Sequence, residues 1–570
     1  MSDGNGQTDN PFGGLAASGG GAPSPERLAK FEMNDIGHAM RLILLSGGEI
    51  DDDGEVDITR CRLLWQIGAG WVGFNGRFWD KECGEDEARK AAHRTARAIR
   101  GLYDIIVGER KQMSAKDFFK IADQAGSAGA TSAMLKQAQS YLTVRIDVFD
   151  RDPLAINCRN GTLKMRFDPK AEAGKRFGWR LGEHDPADRI TRMAAVTHDA
   201  SATCPEFMRV LETSLPDKGD GVDGYPDSGM LERRFFHRWC GYSATGRTEE
   251  QAFTLTQGRG RDGKSTLLDA CREAMGTYGW ACAPATFLEG GIRSGSDASP
   301  DLVALSGDTR FVVLSEPSRG SKLNEGLLKA WTGGAPIVAR DLHGKPFNFR
   351  PRGKLSFECN AFPVARGDDD GIWRRVLTPQ FRHQVPEDKI DRLIPDRLRD
   401  NELPGILNWL VAGVGDWLER GSLDMPASLK SVAEDYRRSS SPFGDWLRER
   451  CVTGEDAKGA RTLSGDLYRD FKAWFDAQGF EKPMSARAFG DALRDRQIGL
   501  MGKDRTGLKY RGPIRLKTEA EGAADSAADD ANRPGASGPG GAPAGDPVDA
   551  IEPPSDDIWD AADDEGTPFG

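Results

Sequence analysis

Gly258-Arg-Gly-Arg-Asp-Gly-Lys264-Ser265-Thr266 is the stretch on which the reading of this chain turns. It fits G-x-x-x-x-G-K-[ST]. The apolar run Ala252-Phe-Thr-Leu-Thr256 predicts a strand before it, and residues 264–274 carry a helical pattern after it. Gly258, Gly260 and Gly263 let backbone N–H groups curl around anionic oxygens without a Cβ in the way. The helix start that follows adds partial positive charge. In such a loop Lys264 reaches the β- and γ-phosphates of a nucleotide and Ser265 ligates Mg²⁺, while Asp262 and Thr266 complete the cradle. The expected cofactors are ATP and Mg²⁺.

Working outward, Arg310-Phe-Val-Val-Leu-Ser-Glu316 predicts a core strand that delivers an acid at its end. Glu316 there can polarise an attacking water or act through Mg²⁺, which makes it the second candidate metal residue beside Ser265. Many motifs of this kind end in two acids, whereas Ser315 precedes Glu316 here. A further strand ends in Lys354-Leu-Ser-Phe-Glu-Cys-Asn360, where the Asn360 amide can touch a γ-phosphate or its water. Gly371-Ile-Trp-Arg374-Arg375-Val follows. Either arginine can reach a neighbouring subunit's nucleotide and stabilise charge in the transition state.

The 570 residues are 38% hydrophobic and 29% charged, a globular composition with polar segments attached. No run reaches the roughly 18 apolar residues of a membrane helix, and Met1 to Gly14 has no secretory pattern. The nine cysteines are scattered without a C-x-x-C pair, which argues against zinc or a disulfide framework and for a reducing cytoplasm. The formal charge of −11 belongs to one end: residues 518–570 hold 14 acids and one base, leaving +2 for the other 517. Nucleic acid is therefore not excluded as a partner.

Composition and patterning predict disordered ends at 1–25 and 518–570. Between them lie a mixed α+β domain over 26–228, an α/β nucleotide-binding core over 229–430, and a small domain over 431–517. Residues 27–45 read as one helix. Asn75-Gly76 and Asn160-Gly161 read as hairpin turns. Three helices and then a hairpin around Lys503–Gly507 give the last domain a winged-helix pattern. Its hairpin holds Lys503, Arg505, Lys509, Arg511, Arg515 and Lys517 against Asp504, a plausible phosphate contact.

In order and spacing these motifs resemble a superfamily 3 helicase, and more narrowly the phage/plasmid primase–helicase family with its poxvirus-type N-terminal domain. The similar stretches include L-K-A-W-T-G-G (328–334), I-V-A-R (337–340), F-N-F-R-P (347–351), N-A-F-P (360–363) and G-I-W-R-R-V (371–376). Upstream they include I-T-R-M-A-A-V (190–196), C-P-E-F (204–207) and R-W-C-G-Y-S-A-T-G (238–246). The resemblance implies an AAA+-like ATPase core assembling as a ring, usually a hexamer, around single-stranded or forked DNA. It assigns Lys264 and Ser265 to the first nucleotide motif, Glu316 to the second and Asn360 to the sensor. Arg374 or Arg375 becomes a finger acting in trans. The segment 336–349 becomes the channel hairpin, with Arg340, His343 and Lys345 on DNA.

The resemblance further implies a DNA helicase of phage or plasmid replication working in a bacterial host's cytoplasm. Rival readings are a primase–helicase with an unrecognised primase site, a DNA motor that does not unwind, and an origin-binding module. The acidic tail ending in Asp563-Asp-Glu-Gly-Thr-Pro-Phe569-Gly570 suits docking to replication proteins.

Overall fold

The computed structural model describes residues 23–521, save 173–175, 217–228, 291–297, 343–344, 366–369, 441, 480–482, 504–506 and 519–520. His343, Arg505, the Lys503 side chain and nearly all of both terminal segments read as disordered lie outside the described residues. The chain divides into two compact units, Met1–Pro442 and Phe443–Gly570. Both α-helices and β-sheets contribute throughout, and no described helix is long and apolar enough to cross a membrane.

The first unit begins with a helical layer whose core includes Leu42, Ile43, Ala92, Ile99, Phe118 and Leu142. The single helix predicted over 27–45 is two, Pro25–Leu28 and Asp35–Leu45. The break has a local cause. Asn34 caps the second helix by accepting from the Gly37 N–H at 2.9 Å. The buried Arg41 guanidinium donates to the carbonyls of Phe31 and Glu32 inside the break. The hairpin around Asn75 forms as predicted: Phe74 pairs with Trp79, and Asn75 Oδ1 accepts from the N–H groups of Arg77 and Phe78.

The strands Ala155–Cys158, Gly161–Phe167 and Phe177–Gly182 form a small antiparallel sheet. A sheet this small cannot bury its own apolar face. Ile156, Leu163 and Met165 share one core with the helices Gly229–Ala244 and Leu403–Arg420. The boundary read at 228/229 therefore runs through a shared core rather than between two cores. The two helices meet glycine to glycine: a Cβ at Gly241 would lie 2.3 Å from the Gly413 carbonyl carbon, and one at Gly413 would lie 2.5 Å from the His237 oxygen. Gly241→Ala is expected to force these backbones apart and destabilise the first unit by about 1–3 kcal/mol, read as a lower denaturant midpoint.

At the centre lies a parallel sheet. Its spatial order is Gly279–Cys282, Phe311–Leu314, Lys354–Cys359, Phe253–Gly258 and Val376–Leu377, with Gln380–Phe381 also pairing the Phe253 strand. Arg310, which precedes the Phe311 strand, is fully buried. It holds Asp308 at 2.6 Å and donates to the carbonyls of Ala155 and Ala244, tying the antiparallel sheet and the Gly229 helix to the parallel one. An antiparallel hairpin, Ile337–Ala339 with Phe347–Phe349, stands off the sheet. Its base is fixed by Phe349 against the buried Trp331, whose ring meets Phe287 edge-on.

The second unit has helices Pro442–Arg450, Ser464–Ala477 and Ala486–Asp495, then the hairpin Gly499–Lys503 with Lys509–Gly512. Phe443, Trp446, Phe471 and Phe489 form its aromatic core. It begins at Phe443 rather than at the 431 read from sequence. The helix Ala427–Ser440 packs on the first unit, where the Tyr436 hydroxyl donates to the Pro363 carbonyl at 2.6 Å and its ring lies against Phe362.

Candidate functional site

The site grows from the carboxyl edge of the parallel sheet. The Phe253 strand runs between the Lys354 and Gln380 strands, with Gln257 opposite both Cys359 and Gln380. This edge therefore brings Gly258, Cys359 and the residues after Leu314 together. The chain then turns through 259–263 into the helix Lys264–Ala274. Gly260 and Gly263 hold φ of +83° and +81°, the left-handed region that glycine occupies without strain. A Cβ at Gly258 would lie 1.9 Å from Asp262 Oδ2, so a side chain there would have to push the Asp262 carboxylate aside.

Asp262 occupies the middle of the loop and is 2% exposed. Its carboxylate accepts from the N–H of Gly260 at 3.0 Å, from the N–H of Lys264 at 3.2 Å, and from Lys264 Nζ at 3.1 Å. Lys264 Nζ also donates to Asn360 Oδ1 at 3.2 Å. Asn360 in turn donates its side-chain amide to Glu316 Oε2 at 2.7 Å and its backbone N–H to Glu316 Oε1 at 3.2 Å. Four sequence-predicted residues, Asp262, Lys264, Asn360 and Glu316, thus form one hydrogen-bonded chain. Ser265 takes another partner: its hydroxyl donates to Glu358 Oε2 at 2.9 Å. Burial raises the Glu358 carboxyl above the usual carboxylate range, an effect opposed by that hydrogen bond. Thr266 is half-buried in the first turn of the helix.

Two contributors escaped the sequence reading. Glu358 lies inside an apolar strand pattern, where it read as a residue on the way to Asn360. Gln384 donates to the carbonyls of Arg259 and Gly260 at 3.1 Å, and the Val385 N–H bonds to the Arg261 carbonyl at 2.8 Å. The segment after the Gln380 strand thus braces the loop from outside. No local motif marks Gln384; only the pairing of its strand beside the Phe253 strand brings it there.

The arginines lie elsewhere. Arg374 is exposed, whereas Arg375 is buried, donating Nε to Thr332 Oγ1 at 3.0 Å and Nη1 to the Gly371 carbonyl. They precede Val376, which pairs with Phe253 at the start of the loop strand. Gly258 is five residues further on, or about 16 Å along the strand at ~3.3 Å per residue. Both arginines therefore sit at the opposite edge of the sheet from Lys264.

On the hairpin, Lys345 and Leu342 are exposed and Arg340 is half-buried, its N–H bonded to Ser299 Oγ. In the second unit Arg515 pairs with Glu521, Arg511 is buried and Lys517 donates to the Arg448 carbonyl, so part of the basic hairpin is engaged internally. Among the described residues no group of three His, Cys, Asp or Glu side chains is arranged to hold a metal. All nine cysteines are free.

Residues 56–216 match the model of the family described as D5 N terminal like. Three viral proteins that carry helicase names are similar in sequence. L207/L206 of Acanthamoeba polyphaga mimivirus is 25% identical over 347 residues, 56% of this chain and 35% of that protein. 022R of Frog virus 3 is 32% identical over 160 residues, 28% of this chain and 16% of that protein. 121R of Invertebrate iridescent virus 3 is 21% identical over 359 residues, 58% of this chain and 36% of that protein. The chain spans 16% to 36% of these relatives' lengths. Among solved structures, the A-form apo structure of the NrS-1 C-terminal region aligns with a TM-score of 0.32 and 10% identity, covering 61% of this chain and 83% of that one.

The segment similar to the D5 N terminal like family, residues 56–216, lies ahead of the glycine loop at 258–266.

Proposed function

We propose that this protein is an ATP-dependent DNA helicase of phage or plasmid replication, with ATP held at the Gly258–Thr266 loop and hydrolysed between subunits of a ring. The observation that carries the reading is the convergence of Lys264, Asn360 and Glu316 at the carboxyl edge of one parallel sheet, beside a loop whose N–H groups already grip a carboxylate. An anion at this place is bound by backbone donors, a helix start and an ammonium group together.

Lys264 neutralises the β- and γ-phosphates. Glu316, held by Asn360, accepts a proton from the attacking water, and Asn360 keeps that water and the γ-phosphate in register. Mg²⁺, when bound, would supply further charge neutralisation through oxygen ligands, and the hard oxygens of Ser265 and Glu316 are the ones the motif order nominates for it. Arg374, exposed at the far edge of the sheet, serves the nucleotide of an adjacent subunit. The hairpin tip around Lys345 and Arg340 contacts DNA phosphates without reading sequence. The second unit, read as winged-helix-like, adds phosphate contacts through Lys503 and Arg505, and the acidic tail recruits replication proteins.

The test is strand separation of a forked duplex by the purified chain with ATP and Mg²⁺, beside a non-hydrolysable analogue. Unwinding with ATP alone supports the helicase. DNA-stimulated hydrolysis without strand separation supports a motor that does not unwind.

One consequence concerns Asp262. Its carboxylate takes the donors that a phosphate needs, so nucleotide must displace it and be repelled by it. Asp262→Asn is expected to tighten nucleotide binding roughly tenfold, about 1.4 kcal/mol, measured by titration of a fluorescent nucleotide. Unchanged affinity refutes the competition.

A further inference from the structure

The strand that ends at Glu316 delivers one acid where two are common, and both oxygens of that acid are taken by Asn360. A second carboxylate enters from the neighbouring strand. Glu358 stands opposite Thr256 in the parallel register, two residues before Gly258, and its Oε2 lies 2.9 Å from Ser265 Oγ. Its other oxygen, Oε1, is sealed from solvent and has no hydrogen-bond partner. Glu358 is half-buried, and with one oxygen on a hydroxyl and the other unpaired it has acceptor capacity left for a further partner. The spacing, that of an ordinary hydroxyl–carboxylate hydrogen bond, is also compatible with a shared cation. Two adjacent ligands of an octahedral Mg²⁺ with bonds of 2.0–2.1 Å lie about 2.9 Å apart. The Ser265 hydroxyl and Glu358 Oε2 already have that separation, on hard oxygens, beside the phosphate loop.

We infer that Glu358 is the cation-site carboxylate of this protein, holding Mg²⁺ together with Ser265, while Glu316 is left to the water through Asn360. The inference rests on the nucleotide reading of the loop. It moves the metal role from the acid that the motif order nominates to one that the strand pairing supplies. No bond is made or broken in this role. Glu358 stays a ligand, and the Ser265 proton that now points to it turns away when the hydroxyl oxygen takes the cation.

The experiment measures binding of a fluorescent ATP analogue to the full chain across a Mg²⁺ titration, for the natural protein, Glu358→Gln, Ser265→Ala and Glu316→Gln. Mn²⁺ electron paramagnetic resonance of the nucleotide complexes provides a readout independent of turnover. Glu358→Gln is expected to bind nucleotide without Mg²⁺ as the natural protein does, which also reports an intact fold. It should need at least tenfold more Mg²⁺ for the tightened state and lose the tight Mn²⁺ signal, as Ser265→Ala does. Glu316→Gln should keep the natural Mg²⁺ midpoint. A natural midpoint and Mn²⁺ signal in Glu358→Gln overturn the assignment and leave the nucleotide reading standing. Failure of the natural protein to bind nucleotide at any Mg²⁺ concentration overturns both. If Glu358→Gln is too unstable to purify, Glu358→Asp takes its place, with a weakened Mn²⁺ signal as the expected result and an unaltered one as the refutation.

Discussion

Lys264→Ala is expected to lower ATP hydrolysis by about two to three orders of magnitude, the usual cost of removing one preorganised electrostatic stabiliser, and to abolish DNA unwinding with it. The loss has two parts. The ammonium group that would meet the phosphates is gone. In addition Asp262, 2% exposed, keeps its charge inside the loop with only the N–H groups of residues 260 and 264 on it. A buried carboxylate stripped of its cation both repels phosphate and destabilises its surroundings. The double variant Lys264→Ala/Asp262→Asn separates the parts: it should recover nucleotide binding and a good share of the lost melting temperature, yet remain without hydrolysis. Steady-state phosphate release, nucleotide titration and thermal melting of the single and double variants provide the check. Hydrolysis near the natural rate in Lys264→Ala would remove the loop from the mechanism.

Arg374→Ala is expected to bind nucleotide normally and to hydrolyse it about a thousandfold more slowly, the lower end of what an arginine finger contributes. The geometry makes a sharper demand than the rate. Arg374 lies at the amino edge of the loop strand, about 16 Å of strand from Gly258, because Val376 pairs with Phe253. It should therefore act only on a neighbour's nucleotide. Arg374→Ala and Lys264→Ala, each severely slowed alone, should regain hydrolysis when mixed. A mixed interface in which the Arg374→Ala subunit holds the nucleotide then pairs its intact Lys264 with the intact Arg374 of the Lys264→Ala neighbour, while the reverse order stays inactive. Mixtures that stay silent would place the group within its own site or outside catalysis. Arg375→Ala is a different case. Its buried guanidinium anchors Thr332 and the Gly371 carbonyl, so the expected result is lost stability that mixing does not repair.

Local chemistry made much of this legible beforehand. The glycines that need positive φ, the apolar run ahead of them and the helix from Lys264 to Ala274 follow from short-range rules, and all three stand where the pattern put them. The turns at Asn75 and Asn160 are legible for the same reason: the conformation is decided within four residues. Asn34 was the missed local signal, a capping side chain in the middle of what read as one helix. The boundary near 228 failed for another reason. Apolar periodicity says that a face is buried but not against what, and residues 154–215 share their core with helices drawn from 229–244 and 403–420.

By itself, then, the sequence determined the loop, its lysine and the strands that carry Glu316 and Asn360, because each is set by residues adjacent in the chain. Tertiary structure decided which of these groups touch. Parallel pairing of strands about a hundred residues apart laid Asn360 on Lys264, brought Glu358 to Ser265, and set Arg374 at the far edge with Arg375 turned inward. Strand order and register are long-range choices of the packed core, and no spacing along the chain encodes them.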